Sequence, residues 1–172
     1  MLAFIITTVV CFITYLLLTT GSGDLGLWSI EEIFIGAILS LIVGFIARTI
    51  FAKNNYRMVN PVRWVTFLAY LIGPFFIGMA KANFDVAYRV ITGEINPGIV
   101  KISPKLKTDL GITMLANSIT LTPGTLSVDI DESNNDLYIH WINVKKEAIQ
   151  TKPVDCKYVC GGFDKWVRRI AE

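Results

Sequence analysis

The side chains able to do chemistry in this chain are few and far apart. It holds one histidine, His140, and three cysteines, Cys11, Cys156 and Cys160. His140 with a serine and an acid would suggest a hydrolase, but no G-x-S-x-G elbow occurs. A lone strand histidine beside Trp141 reads as a packed or surface residue. A single histidine also excludes a multi-histidine metal centre. Cys156 and Cys160 stand i, i+4 with no further Cys or His near them in sequence. Two packed thiols, or a disulfide, are plainer readings than a metal pair. "GSGDLG", Gly21 to Gly26, matches the G-x-G-x-x-G pattern. It follows an apolar helix rather than the strand of a βαβ unit, so it reads as a loop.

Ion conduction is the remaining chemistry. Proton and cation pathways place ionisable groups at bilayer depth. The first apolar run has none, and the second has only Arg48, near its end. Lys81, Asp85 and Arg89 repeat at i, i+4, i+8, which fits an ion-paired surface stripe better than a relay. The residues therefore point to no ion path within this chain, no metal, no cofactor and no catalysis. Any role in transport is structural.

The elements that would hold these groups fall into two halves. Of 172 residues, 53% are hydrophobic and 17% charged, against about 25% charged in soluble domains. Up to Phe51 the only charged residues are Asp24, Glu31, Glu32 and Arg48. The net charge of +2 is too small for a nucleic-acid footprint. Residues 2–20 carry no charge and are long enough for a membrane helix, and no base precedes them as in a signal peptide. A loop with Asp24, Glu31, Glu32 and Trp28 follows. Residues 33–51 form the second predicted span, with Gly36, Ala37, Ser40 and Gly44 at helical spacing, a surface that admits another helix closely. Arg48, Lys53, Arg57 and Arg63 place the next loop, and the N-terminus, on the cytoplasmic side.

The third apolar stretch, 64–92, carries Gly73-Pro74, which predicts a kink or break. Past the proline, Ile77, Ala80, Phe84, Ala87, Tyr88 and Ile91 share one face, and the Lys81–Asp85–Arg89 stripe another. Bases at both ends favour an in-plane or shallowly re-entrant helix, which leaves the C-terminal half cytoplasmic. A true third span would put it outside.

Gly93 to Pro97 marks a boundary. Beyond it the pattern predicts a short strand at 99–103 and a helix from Thr108 or Asp109 to about Leu121. Thr122-Pro123-Gly124-Thr125 suits a type II turn. A half-buried strand follows at 125–131, with Leu126, Val128 and Ile130 on its apolar side. Next come a hairpin loop, a more buried strand at 137–144, a linker at 150–153 and an amphipathic helix holding Phe163, Trp166, Val167 and Ile170. The fold class is thus a membrane protein. Two N-terminal transmembrane α-helices and a third kinked or in-plane helix make residues 1–92; a small α+β domain makes residues 93–172. A core that small is marginal alone and leans on partners or on the membrane.

The run "MLANSITLTPGTLSVDI", Met114 to Ile130, followed by "LYIHWI", Leu137 to Ile142, resembles the E subunit of the multi-subunit Mrp-type sodium/proton antiporters. The same kind of chain also occurs in the antiporter-like modules of archaeal membrane-bound hydrogenases and related respiratory complexes. "KANFDVAYRVI" (Lys81 to Ile91) and "INPGIVKI" (Ile95 to Ile102) are similar to it as well. The resemblance implies an accessory subunit in the cell membrane, partnered by other hydrophobic subunits and by lipid, with the ion-translocating machinery in other chains. It assigns no catalytic residues. Asn117, Thr120, Thr122, Pro123, Gly124, Thr125 and His140 are expected to be structural. The ending with Cys156 and Cys160 lies outside the recognised pattern.

Overall fold

The computed structural model describes residues 2–21, 26–51 and 60–172, with side chains at 2–3 and 47–51 outside the description. The side chain of Arg48, the loop bases Lys53 and Arg57, and the middle of the GSGDLG run lie outside the described residues. The chain divides into two compact units, Met1–Tyr56 and Arg57–Glu172.

In the first unit, α1 (Leu2–Leu18) packs on α2 (Ile30–Phe51). The Ser29 hydroxyl accepts from Glu32 N at 3.2 Å and Glu32 Oε2 accepts from Ser29 N at 3.4 Å, a capping box that starts α2 beyond the loop. Trp28 donates its indole N–H to the Leu16 carbonyl at 2.7 Å, satisfying one of the orphan acceptors at the end of α1. The small residues of α2 meet α1 of the same chain. A Cβ on Gly36 would run into the Tyr15 ring, and one on Gly44 into Thr8 Oγ1. Gly36, Ser40 and Gly44 are buried. The seam read from sequence as a contact for partner helices is thus used within the hairpin. Among the described side chains, much of the rest of both helices is apolar and exposed, as Val10, Ile13, Phe34 and Phe45 illustrate.

The second unit begins with α3, a continuous helix from Pro61 to Thr92. Asn60 caps it, accepting from Val62 N at 3.0 Å, and Pro61 occupies the first turn, where a missing N–H costs nothing. The predicted break at Gly73-Pro74 does not occur. Leu71–Phe75 winds as a π turn with Pro74 inside it, and the wider turn absorbs the proline. Gly93, at φ +71°, ends the helix as a left-handed C-cap.

A three-stranded antiparallel sheet follows in the order β1-β3-β2, with β1 Gly98–Ile102, β2 Thr125–Asp131 and β3 Asp136–Trp141. Between β1 and β2 runs α4, Asp109–Thr120. Thr108 accepts from Gly111 N at 3.1 Å and so caps α4. Two short helices, α5 (Cys156–Val159) and α6 (Phe163–Ala171), close the chain. The core joins Val100 and Ile102, Leu115 and Ile119, Leu137 and Ile139, Val167 and Ile170, and takes in Tyr70 from α3.

Two expectations about the strands change. β3 ends at Trp141, and only one of its faces joins the apolar core: Leu137, Ile139 and Trp141 are in it, while on the other face Asp136 is buried, Tyr138 half-buried and His140 exposed. On β2, Leu126 and Val128 are about half exposed and Ile130 is 39% exposed. Ser127 turns to the helix side instead, donating to the Ala116 carbonyl at 3.0 Å. The register explains this. Leu126 pairs with His140, and His140 with Ile99, on the outer face, and a bulge between Ser127 and Asp129 shifts the remainder. Among the described residues, Cys156 and Cys160 are joined as a disulfide and Cys11 is free.

Candidate functional site

The threonine-rich run is a knot of side-chain-to-backbone bonds around one turn. Pro123 sets the turn and Gly124 takes φ +87°, the value that the third position of a type II turn requires. Thr125 N bonds the Thr122 carbonyl at 3.3 Å. Thr122 Oγ1 donates to the Ser118 carbonyl at 2.7 Å and Thr125 Oγ1 to that of Ile119 at 2.7 Å, so the last carbonyls of α4 are satisfied by the turn that follows it. Thr120 Oγ1 accepts from Ser127 N at 3.1 Å, tying the start of β2 to α4. Asn117 is exposed and contributes its carbonyl to Leu121 N at 2.9 Å. His140 stands apart on the outer face of the sheet. The turn therefore joins helix to hairpin, and it does not assemble a reacting group.

The turn also meets α3. A Cβ on Gly124 would lie 3.0 Å from Ile142 Cγ2 and 3.2 Å from Val86 Cγ2, a tight fit between hairpin and helix on top of the positive φ. This contact is one of several along α3. Arg63 Nη1 donates to the Ile170 carbonyl at 2.6 Å. Tyr70 is 1% exposed, donates to Ser118 Oγ at 2.6 Å and meets Phe163 edge-on, ring centroids 5.9 Å apart. Gly78 lies against the Phe163 ring. Arg89 binds Asp85 through two nitrogens, at 2.7 and 2.9 Å, and donates to the Glu94 carbonyl at 3.0 Å. The Arg89 side chain is 13% exposed, and the Asn143 amide oxygen, turned toward it, accepts at 2.8 Å. From Arg63 to Arg89 the helix is about 39 Å long at about 1.5 Å per residue. The α+β domain lies along all of it. The π turn carries one more residue than an α turn, which keeps Tyr70 and Arg89 on the same side of the rod.

What α3 turns away from the domain is mostly apolar, with Lys81 and Asp85 exposed among the apolar residues. Val65, Leu68, Ile72, Phe76, Phe84, Tyr88 and Ile91 are all more than half exposed. Among the described residues, α3 is the helix long and apolar enough to cross a membrane. Arg89 is turned to the domain side, while its ion-pair partner Asp85 is more than half exposed.

Comparison with known proteins decides what such a chain is. A family described as Na+/H+ ion antiporter subunit matches residues 8–170. The chain belongs to the E-subunit family of Na+/H+ antiporters. The E subunit of the antiporter of Alkalihalophilus pseudofirmus is 37% identical over 115 residues, covering 66% of this chain and 70% of the relative. The E1 subunit of the antiporter of Staphylococcus haemolyticus is 31% identical over 153 residues, covering 86% and 87%. A chain from the membrane-bound sulfane sulfur reductase, an archaeal respiratory membrane complex, superimposes with TM-score 0.78 at 37% identity over 98% of both chains. Membership of this family implies a membrane protein that works inside a transport complex.

A polar cluster that sequence reasoning missed lies at the hairpin base. Lys101 Nζ on β1 is 2.9 Å from Asp136 and 3.6 Å from Asp131. The neighbouring Ser103 hydroxyl and the Lys101 ammonium hold the Asp136 carboxyl below the usual carboxylate range. The Ser133 hydroxyl and backbone N–H do the same for Asp131. Asp136 Oδ1 is buried without a partner in hydrogen-bond geometry. The signal was hidden because Lys101 and Asp136 are 35 residues apart and meet only through the β1–β3 register. The cluster ties the sheet together. Among the described residues, no three His, Cys, Asp or Glu side chains group as metal ligands.

Proposed function

We propose that this chain is an accessory, non-conducting subunit of an Mrp-type cation/proton antiporter module, anchored by residues 1–92 and docked through the domain at 93–172. The module either stands alone or belongs to a respiratory complex like the archaeal one that holds the similar chain. In this reading α1 and α2 cross the cell membrane, and α3 lies in the plane of the cytoplasmic surface with the α+β domain above it. The ions pass through other, larger hydrophobic subunits, and lipid and those subunits are its partners.

One observation carries the reading: α3 is packed by the α+β domain along its length, and its opposite side is mostly apolar, with Lys81 and Asp85 in its second half. If α3 crossed the bilayer, the domain beside it would enter the hydrocarbon. The unpaired edge of β2 and the Lys101–Asp136 pair would then lose water, and lipid-exposed open sheets do not occur there. An in-plane helix keeps the apolar side in the acyl boundary and the domain in the cytoplasm. The bases Arg48, Lys53, Arg57 and Arg63 support the same side. For conduction, α1 carries no acidic or basic side chain, and α2 carries only Glu31 and Glu32 in its first turn and Arg48 near its end. Asn117 through Thr125 and His140 act as scaffold.

The test is gentle extraction followed by native electrophoresis and identification of co-migrating chains. Co-migration with large hydrophobic subunits is expected. Migration as a lone chain would favour the alternative, a free-standing anchor whose cytoplasmic domain binds a soluble partner or lipid. A reporter fused after Glu172 should be accessible only from the cytoplasmic side.

A further inference from the structure

The end of the domain that meets the start of α3 is a basic and aromatic ridge. The bond from Arg63 to the Ile170 carbonyl ties the first turn of α3 to the last turn of α6. One turn earlier in α6, Trp166 packs near Tyr70, ring centroids 6.4 Å apart. The Arg169 guanidinium lies 5.7 Å from the Trp166 ring centroid. Lys165 is exposed four residues before Arg169, on the outer side of α6, and Trp64, next to Arg63, is 52% exposed. Glu172, the acid nearest in sequence on the C-terminal side, is taken by Arg168 at 2.9 Å and by the Lys107 N–H. Among the described residues, Arg63, Lys165 and Arg169 have no carboxylate at ion-pair distance. Three cations and two tryptophans thus gather where an exposed apolar helix face, Val62 and Val65, begins.

We propose that Arg63, Lys165 and Arg169, with Trp64 and Trp166, bind the headgroups of anionic phospholipids. The proposal rests on the in-plane placement of α3. Its chemistry is direct. Guanidinium groups match phosphate oxygens in a bidentate fork. Tryptophan, half apolar and half polar, settles at headgroup depth. Each base near an anionic leaflet strengthens attraction about fivefold. Burial of the apolar side of α3 supplies affinity for any bilayer, and the ridge supplies the preference for negative lipid.

The full chain in nanodiscs of mixed phosphatidylglycerol and phosphatidylcholine, analysed by native mass spectrometry, should retain phosphatidylglycerol several-fold above its share of the bilayer. Lys165→Gln and Arg169→Gln should each lower that enrichment, and together bring it to the bilayer ratio. Both residues are exposed, and an unchanged Tm would show that the fold is intact. In parallel, Phe84→Cys and Ile91→Cys in a Cys11→Ser background should resist a membrane-impermeant maleimide. No phosphatidylglycerol preference with both positions protected would overturn the headgroup site and leave the in-plane helix standing. Ready labelling at both positions would overturn the placement and the site with it. An unchanged preference in the double variant, with loss of a neighbouring subunit from the parent complex, would assign these bases to a protein partner and overturn the lipid site.

Discussion

Tyr70 and Ser118, 48 residues apart, share a buried hydrogen bond of 2.6 Å. The Ser118 hydroxyl donates to the Met114 carbonyl at 2.7 Å, so its oxygen is free to accept from the phenol. This bond puts the middle of a long apolar helix into the core of the α+β domain. It makes α3 a part of the compact unit that holds the sheet.

Removing that phenol should loosen the attachment. Tyr70→Phe is expected to cost about 1 kcal/mol, one net hydrogen bond. Tyr70→Ala, which also empties a ring site among Phe75, Phe163 and Trp166, is expected to cost about 3–5 kcal/mol. Thermal unfolding of the detergent-solubilised chain measures both. Equal Tm values for Tyr70→Phe and the parent would show that the bond contributes nothing.

Gly124→Val should destabilise the domain by about 1 kcal/mol or more, because a β-branched residue tolerates positive φ poorly and its Cβ would press on Ile142 and Val86. The expected consequence is lost assembly, read by co-purification. Normal assembly with lost ion transport would contradict a scaffold role for the turn.

The α1–α2 seam should reject added volume. Gly44→Val puts atoms against both the side chain and the Cα of Thr8, while Gly36→Val meets side-chain atoms alone, those of the Tyr15 ring. Overpacking costs about 1–3 kcal/mol. Gly44→Val is expected to be the more damaging, as judged by thermal aggregation in detergent.

The Lys101 cluster sets an acid limit. Asp131 and Asp136 have folded pKa values below their unfolded ones, so their contribution is complete above about pH 4, the unfolded value, and is lost as pH falls through the depressed values. Asp136→Asn should flatten the acid arm of a Tm-versus-pH curve. The Lys101 pKa is raised, chiefly by Asp136, so its share is complete below the unfolded value and fades only in strong alkali. An unchanged acid arm in Asp136→Asn would remove the cluster from the account.

The two cysteines of the disulfide should respond differently. Cys160 is fully buried and Cys156 is half-buried. Cys156→Ser loses only a cross-link over a very short loop, about 2 kcal/mol at most in the chain-entropy model. Cys160→Ser adds a hydroxyl in an apolar site, about 1–3 kcal/mol further. Tm with and without reductant separates the two effects. A parent chain indifferent to reductant would argue that the thiols are simply packed.

Much of this was legible in the residues because it is local. The cap at Thr108 is local, and so is the turn at Pro123-Gly124, where side-chain chemistry and φ are set within four residues; the cap at Asn60 is equally local but was not read, because the apolar run that marks the helix begins only at Trp64. The alternation of β2 was legible too, but its sense was not. Which face of Leu126, Val128 and Ile130 meets the core depends on pairing with β3 and on a bulge, neither of which has a sequence signal as short as a turn. The small residues of α2 could be seen as a seam, but not whose helix fills it.

By itself the sequence determined the apolar first half, the short α+β second half, the family, and the position of every charged group along the chain. These follow from composition, period and motif. The tertiary structure alone decided that Tyr70 is a core residue, that Arg89 turns inward, and that Gly36 and Gly44 face Tyr15 and Thr8. It also decided that Lys101 meets Asp136. Each of these is a contact between residues far apart in the chain, chosen by shape and by hydrogen bonds that exist only once the elements have packed.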